Sequence, residues 1–412
     1  MNRKPRILLI PDVSWWVIGE MGKQIVRRFS SKYDFYLLPE SVLERRPDLV
    51  RELARHVDVI HCISYETIVL FRDFELDSLP PIASWIHHVT KWEPLQQMAI
   101  ERSAALTVCT DPWKLEVEKR LSRDIPITVI PHGVDTEFFR PKKVDGRRFG
   151  IPPDRFVVGF LANKGSARDQ GRKGIDILFE VARRAAKQIP NFHLVIGGPG
   201  WDEEAEELRA SGVSVSSTGY IRRADVPDLY CALDVYLLTS RVEGGPCTVF
   251  EAMACETAVV STKVGVVPEL ITDGVDGCST EIDDVDALVD SIVKLHGLPE
   301  HRASIGKNGR RKILERSWAA VLTPLESVYD RLIEQRQQVS ESNKPTWMES
   351  PEALQKSSSA ADALLNVYGG VRTGKMKLPK GLRLLRELLD QHSFRDVVSG
   401  AMMIRRYKLD AK

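Results

Sequence analysis

Short apolar runs recurring between helical patterns are the feature that most narrows what this chain can fold into. "RILLIP" (residues 6–11), "DVIHCI" (58–63), "IASWIH" (82–87) and "LTVC" (106–109) form a first series. "FVVGFLA" (156–162), "HLVIGG" (193–198), "DVYLL" (234–238) and "AVVS" (258–261) form a second. The runs are apolar throughout rather than alternating, as in strands of a parallel sheet covered by helices on both faces. Patterns such as "GIDILFEVARRAAKQ" (174–188) supply those helices. Two series predict an α/β chain of two doubly wound, Rossmann-like domains. The stretch "PHGVDTEFFRPKKVDGRRFGIPPD" (131–154) is rich in Pro, Gly and charge and lacks periodicity, so it marks the passage between them. A later helix, "SWAAVLTPLESVYDRLIEQ" (317–335), places Leu322, Leu325, Val328, Tyr329 and Leu332 on one face, with Pro324 expected in its first turn.

Composition limits the remaining classes. The chain has 412 residues, enough for two or three domains, and 43% apolar with 28% charged residues is the balance of a soluble globular protein. Its 58 basic and 57 acidic residues leave no overall charge argument for nucleic acid. The six cysteines (Cys62, Cys109, Cys231, Cys247, Cys255, Cys278) form no close pair of the zinc-binding or redox kind, which points to a reducing compartment. The start, "MNRKPRILLIPD", has too short an apolar run for a signal peptide, and no run approaches the ~20 residues that span a bilayer. The expectation is a cytoplasmic protein, attached to a membrane at most peripherally.

The chemistry concentrates in "RVEGGPCTVFEAMAC" (241–255), where Glu243 and Glu251 flank a Gly-Gly-Pro turn. Thr248-x-x-Glu251 would serve as a capping box, and Glu243 could be an ordinary solvated loop residue. Three features favour a ligand instead. The segment follows the apolar strand "DVYLLTS", and doubly wound folds bind ligands past the carboxyl ends of their strands. Gly244 and Gly245 let backbone N–H groups approach a ligand closely. The helix expected from near Val249 aims its positive end at the same spot, which suits a phosphate. Carboxylates beside such a site accept hydrogen bonds from sugar hydroxyls, so the segment fits a nucleotide sugar.

This segment resembles the family 4 retaining glycosyltransferases of the GT-B fold, whose mark is two glutamates separated by seven residues and then an "EAMACGTPVV"-like run. Here the run reads "EAMACETAVVSTKVGVVPELI" (251–271), with Glu256 and Ala258 where the family usually has Gly and Pro. The resemblance runs through most of residues 4–335. "VIPHGVDTEFFRP" (129–141) is similar to the hinge between the two domains, "RKGIDIL" (172–178) to the phosphate-binding Lys-Gly turn, and "STGYIRRADVPDLYCALDVYLLTSRVEGG" (217–245) to the segment that holds the base. "ERSW" (315–318) resembles the approach to a helix crossing back to the first domain. The resemblance implies an acceptor-side domain at 1–142, a donor domain at 143–316, the crossing helix at 317–335, and beyond it a polar linker and basic helical tail at 336–412.

It also implies roles. Glu251 would hold the ribose hydroxyls and Glu243 the donor sugar, with the backbone of Gly244, Gly245, Pro246, Cys247 and Thr248 facing the sugar and distal phosphate. Lys173 would neutralise the diphosphate; for the arginine expected just upstream, Lys164, Arg168 and Arg172 compete, and Arg172 is preferred for its place beside Lys173. Tyr220 and Ile221 would lie against the base. Gly19 matches the first glycine of a loop under the diphosphate, with Glu20 where a second glycine is common, and Trp15 and Trp16 either line an acceptor site or pack. A histidine beside the sugar is expected, His87 favoured by the apolar-strand-then-His pattern with His88 in the next position, orienting sugar or acceptor rather than acting as general base. No cofactor or divalent metal is implied, and Asp284-Val285-Asp286 reads as a helix start.

The implied activity is retaining transfer from a nucleotide-diphosphate sugar, UDP- preferred over GDP- by family frequency. The acceptor would be a hydroxyl of a glycan or lipid-linked molecule in surface polysaccharide or glycolipid synthesis. Nucleic acid is not an expected partner. Two rivals are a nucleotide-sugar epimerase and a catalytically silent nucleotide-sugar-binding scaffold. Two departures stand out. Only 43 positions separate His88 from Pro131, short for the acceptor side. "VRTGKMKLPKGLRLLR" (371–386) holds six basic residues and no acid and leads into a helical pattern, either a surface helix drawn to anionic lipid or a helix packed on the body or on a second subunit.

Overall fold

The computed structural model describes residues 3–12, 17–43, 47–71, 79–89, 97, 100–164 and 171–342. Trp15, Trp16, Arg168 and the basic segment at 371–386 lie outside the described residues. Twelve strands form two six-stranded sheets. The first sheet runs β2 (Asp34–Leu37), β1 (Arg6–Ile10), β3 (Val59–Cys62), β4 (Ile82–Ile86), β5 (Ala105–Val108), β6 (Ile127–Val129). The second runs β12 (Cys278–Thr280), β11 (Ala258–Thr262), β10 (Val235–Leu238), β7 (Phe156–Leu161), β8 (Phe192–Gly197), β9 (Val215–Ser217). All pairings between these strands are parallel.

The unbroken apolar runs are explained by burial on both faces. Along β7, Phe156, Val158 and Phe160 pack into one core and Val157 into the opposite one. In β1, Ile7 and Leu9 face one core while Leu8 and Ile10 face another. The helices that matter for the site are α1 (Val17–Phe29), α2 (Asp111–Glu118), α3 (Ile175–Gln188), α4 (Val226–Cys231) and α5 (Cys247–Ala254).

Two passages join the domains, side by side. Val134 in the first donates its N–H to Arg316 O at 3.0 Å and bridges Ser317 in the second. After the short α6 (Trp318–Val321), α7 (Thr323–Ser342) packs on the first sheet, where Leu322, Leu325, Val328, Tyr329 and Leu332 are all buried. Pro324 stands in the first turn of α7, where its missing N–H has no intrahelical partner to lose. Tyr329 OH pairs with the buried His61 Nδ1 at 2.7 Å, and Tyr33 OH and Lys32 Nζ each donate to Asp330 at 2.6 Å, polar ties beside the apolar contacts. Residues 336–342, expected as the start of a linker, instead continue α7, which runs through Ser342. Polarity there reflects a helix running past the core, which removes the need for an apolar face. Among the described residues no helix is long and apolar enough to cross a membrane.

Candidate functional site

The site is built at the carboxyl ends of β7 and β10. Gly174, the N-cap of α3, has a left-handed φ of +62°, and a Cβ there would fall 2.0 Å from Thr239 O. Only glycine fits. The same turn is held to the strand end by Arg241 N donating to Arg172 O at 2.7 Å and Thr239 Oγ1 donating to Lys173 O at 3.0 Å. This directs both cations at Glu243. Its Oε1 accepts from Lys173 Nζ at 2.7 Å and Ser240 Oγ at 2.9 Å, and its Oε2 from Arg172 Nη1 at 3.1 Å. Burial pushes the Glu243 carboxyl up, but the charges of Lys173 and Arg172 outweigh it and hold it below the usual range. Of the three competing cations, Lys164 turns instead to Glu204 at 2.7 Å.

Glu251 lies one helical stretch further on, also buried. Helix α5 starts at Cys247, earlier than expected, with Pro246 as its N-cap and no side-chain cap. The capping box is not formed: Glu251 Oε2 accepts from Tyr230 OH at 2.9 Å. Arg223 Nη1 stands 4.0 Å from Oε1. Burial raises the Glu251 carboxyl above its ordinary range, and Glu20 adds repulsion. Arg223 also reaches the first domain, its Nε 3.7 Å from Glu20, while its guanidinium lies over the rings of Phe138 and Phe139. Glu20, Gly133, Asp135, Arg223, Cys247 and Glu251 border a cleft between the domains.

Gly19 and Glu20 sit in the first turn of α1 rather than in a loop, with Gly19 buried. A carboxylate there is favoured by the helix dipole, and Glu20 is further held by Gln24 at 2.9 Å. Tyr220 is 63% exposed, whereas Ile221 packs on the core of the second domain. Asp284 caps a helix, accepting from Ala287 N at 3.0 Å.

The two glycines do something the sequence reading did not anticipate. A Cβ on Gly244 would fall 1.7 Å from His87 O, and one on Gly245 2.6 Å from His132 Nδ1. Both press against the first domain, so the turn is where the domains meet. Trp113 Nε1 of α2 donates to Glu243 O at 3.3 Å on the same rim. His87 is buried with both ring nitrogens engaged: Nε2 with Ile63 O at 2.7 Å and Nδ1 with His132 Nε2 at 2.8 Å. Burial, then the neighbouring His132, holds the His87 ring well below the usual imidazole range. His88 is only half-buried, and its charge helps lower Glu243. The structure thus gathers Lys173, Arg172, Glu243, Gly244, Gly245, Cys247, Glu251, His87 and His88 at one rim. Sequence reasoning overlooked Cys109, Trp113, His132 and Arg223; His132 and Arg223 lay in quoted segments, "IPHGVD" and "IRRADVP", as the available signal.

Two Rossmann-like sheets facing a cleft, with two crossing passages, define the GT-B architecture. Residues 150–312 match the family "Glycosyl transferases group 1". The lipopolysaccharide core biosynthesis mannosyltransferase LpcC of Rhizobium leguminosarum bv. viciae is 32% identical over 212 residues, covering 48% of this chain and 59% of that protein. LpsB of Rhizobium meliloti, named for the same activity, is 30% identical over 198 residues, covering 45% and 55% respectively. The chain thus spans little more than half the length of these curated relatives. In overall fold it is similar to Anabaena HepE, solved with UDP and glucose, at a TM-score of 0.68 and 17% identity, covering 80% of this chain and all of that one. Sucrose-phosphate synthase of Thermosynechococcus elongatus gives 0.66 at 17% identity, covering 81% of this chain and all of the other. Residues 150–312 thus carry the group 1 glycosyltransferase match, and the chain as a whole has the GT-B fold.

Proposed function

We propose that the protein transfers a hexose from a nucleotide-diphosphate sugar to a hydroxyl acceptor with retention of anomeric configuration. The observation that carries this reading is Glu243, buried beside the glycine turn and bonded to Lys173 at 2.7 Å and Arg172 at 3.1 Å. The donor sugar would bring hydroxyls to the Glu243 carboxylate, and its diphosphate would draw the two cations. Negative charge builds on the leaving phosphate during transfer, so fixed cations stabilise the transition state without a divalent ion. The leaving phosphate itself would take the acceptor proton, on the face from which the acceptor attacks.

Glu251 would hold the ribose hydroxyls from the cleft, its geometry set by Tyr230. His88, half-buried near Glu243, is better placed than His87 to orient the sugar, since both His87 nitrogens are engaged within the protein. The acceptor we assign is a glycan or lipid-linked hydroxyl in surface polysaccharide or glycolipid synthesis, made at the cytoplasmic face with the basic tail on the membrane. Two mannosyltransferases among the relatives and a complex with UDP and glucose among the structures set the donor panel. Uridine is the base we assign by family frequency.

The test is a titration of UDP- and GDP-hexoses followed by the thermal midpoint, with Glu251→Ala as control. One donor should raise the midpoint of the wild type and raise that of the variant less. A product whose anomeric proton shows inversion would overturn retention. A donor that shifts the midpoint but yields no product would favour a silent binding scaffold, and no shift from any donor would overturn the reading.

A further inference from the structure

Three ligand-type atoms meet behind the glycine turn: His87 Nδ1, His132 Nε2 and Cys109 Sγ, all on buried residues. Their separations are 2.8 Å between the nitrogens, 3.2 Å from sulfur to His132 and 3.7 Å from sulfur to His87. The hydrogen bonds on the far side of each ring decide what can lie between them. His87 Nε2 faces Ile63 O at 2.7 Å and His132 Nδ1 faces Gly245 O at 2.7 Å. A carbonyl only accepts, so both outer nitrogens carry the proton. In neutral imidazoles the inner nitrogens are then bare, and two lone pairs point at each other across 2.8 Å. That contact is repulsive unless a proton or a metal ion occupies it. A Cys109 thiol that keeps its proton can satisfy one nitrogen without relieving the pair, and one that transfers it leaves a buried thiolate beside an imidazolium, so the cluster suits a metal ion that three such atoms can share.

We propose that His87, Cys109 and His132 form a binding site for a thiophilic d10 metal ion, with Zn²⁺ as the probe. Bonds of about 2.0–2.1 Å to nitrogen and 2.3 Å to sulfur require ligand atoms roughly 3.3–3.6 Å apart in a tetrahedral site. The observed triangle needs shifts of only a few tenths of an ångström at each ring. Outer N–H groups donated to backbone carbonyls are the arrangement that orients metal-bound histidines. Trp85, stacked on His87 with ring centroids 5.6 Å apart, limits its rotation. Binding would convert the Cys109 thiol to thiolate, its proton leaving to solvent. The three residues come from the ends of β4 and β5 and from the passage after β6, so the ion would tie this passage to the first sheet. Through His132 it would also fix Gly245 in the glycine turn. This site is structural, separate from the diphosphate, and does not rest on the transfer activity.

The test uses the full chain, freed of metal by a chelator under reducing conditions and titrated with Co²⁺. One equivalent should produce tetrahedral d–d bands and a thiolate-to-cobalt charge-transfer band, both removed by Zn²⁺, and Zn²⁺ should raise the thermal midpoint. Cys109→Ser should lose the charge-transfer band, whereas the double variant Cys231→Ser, Cys255→Ser should keep it. If Cys109→Ser fails to fold by circular dichroism, His132→Gln decides by loss of the d–d bands. Absence of the band in the wild type, or its persistence in Cys109→Ser, would overturn the proposal, the latter by showing an adventitious ion on another cysteine.

Discussion

Replacing Gly244 with alanine tests whether the glycine turn is the contact on which domain closure depends. Gly244 has no left-handed φ, so alanine brings no backbone strain and the perturbation is one methyl group. That Cβ would lie 1.7 Å from His87 O, where ordinary contact begins at 3.4 Å, a shortfall of about 1.7 Å. The turn cannot retreat, because Gly244 O accepts from Val266 N at 2.9 Å and the Gly265 backbone is packed directly behind it. Relief must come from the first domain moving away. A separation of that size also breaks the rim bonds His132–Gly245, at 2.7 Å, and Trp113–Glu243, at 3.3 Å. Overpacking of this kind costs about 1–3 kcal/mol, which lowers the closed population roughly 5- to 150-fold. kcat/KM should fall by that factor, while the core of each domain, and so its melting, stays intact. Small-angle scattering with donor present should show a more open particle. Gly297→Ala, with open space around its Cβ, is the control. A Gly244→Ala enzyme with kcat/KM within twofold of wild type and unchanged scattering would refute the reasoning.

Other perturbations probe the polar groups. Lys173→Ala should lower kcat/KM by about 10²–10³, the scale of losing one fixed donor at developing negative charge, with the larger part in kcat; an effect confined to KM would contradict it. Glu251 has a raised carboxyl, so the folded state holds its proton longer than the unfolded state and stability falls as pH rises above the ordinary carboxylate range. Glu251→Gln should therefore raise the thermal midpoint at neutral pH, lose that advantage in acid, and weaken donor binding throughout. Tyr329→Phe leaves the buried His61 Nδ1 without its partner at 2.7 Å and should cost about 1–3 kcal/mol in denaturant unfolding of the first domain; an unchanged midpoint would mean that this hydrogen bond adds nothing net to the docking of α7.

What was legible in the sequence follows burial. The eight strands read from apolar runs are the eight inner strands of the two sheets. The four not read, β2, β6, β9 and β12, are the four edges, three or four residues long. An edge strand is paired on one side only, so its composition need not be continuously apolar, and "DFYL" or "VSS" carries little signal. Helix starts were harder, since Glu251 reads as a capping partner from spacing but is taken by Tyr230, 21 residues upstream.

The site divides in the same way. The Lys173-Gly174 turn and the Glu243–Glu251 pair are local, because a left-handed glycine and an acidic residue at a strand end leave marks in neighbouring positions. Arg172 and Lys164 could not be decisively told apart in sequence, and only the structure shows one side chain pointing toward Glu243 and the other toward Glu204. Gly244 and Gly245 were recognisable as a close approach, but not what approaches them. His87, Cys109 and His132 lie 22 and 23 positions apart, a spacing with no local pattern. Only the parallel order of β4 and β5, with the passage that follows β6, brings their side chains to one point, and only the carbonyls of Ile63 and Gly245 determine which nitrogens face inward.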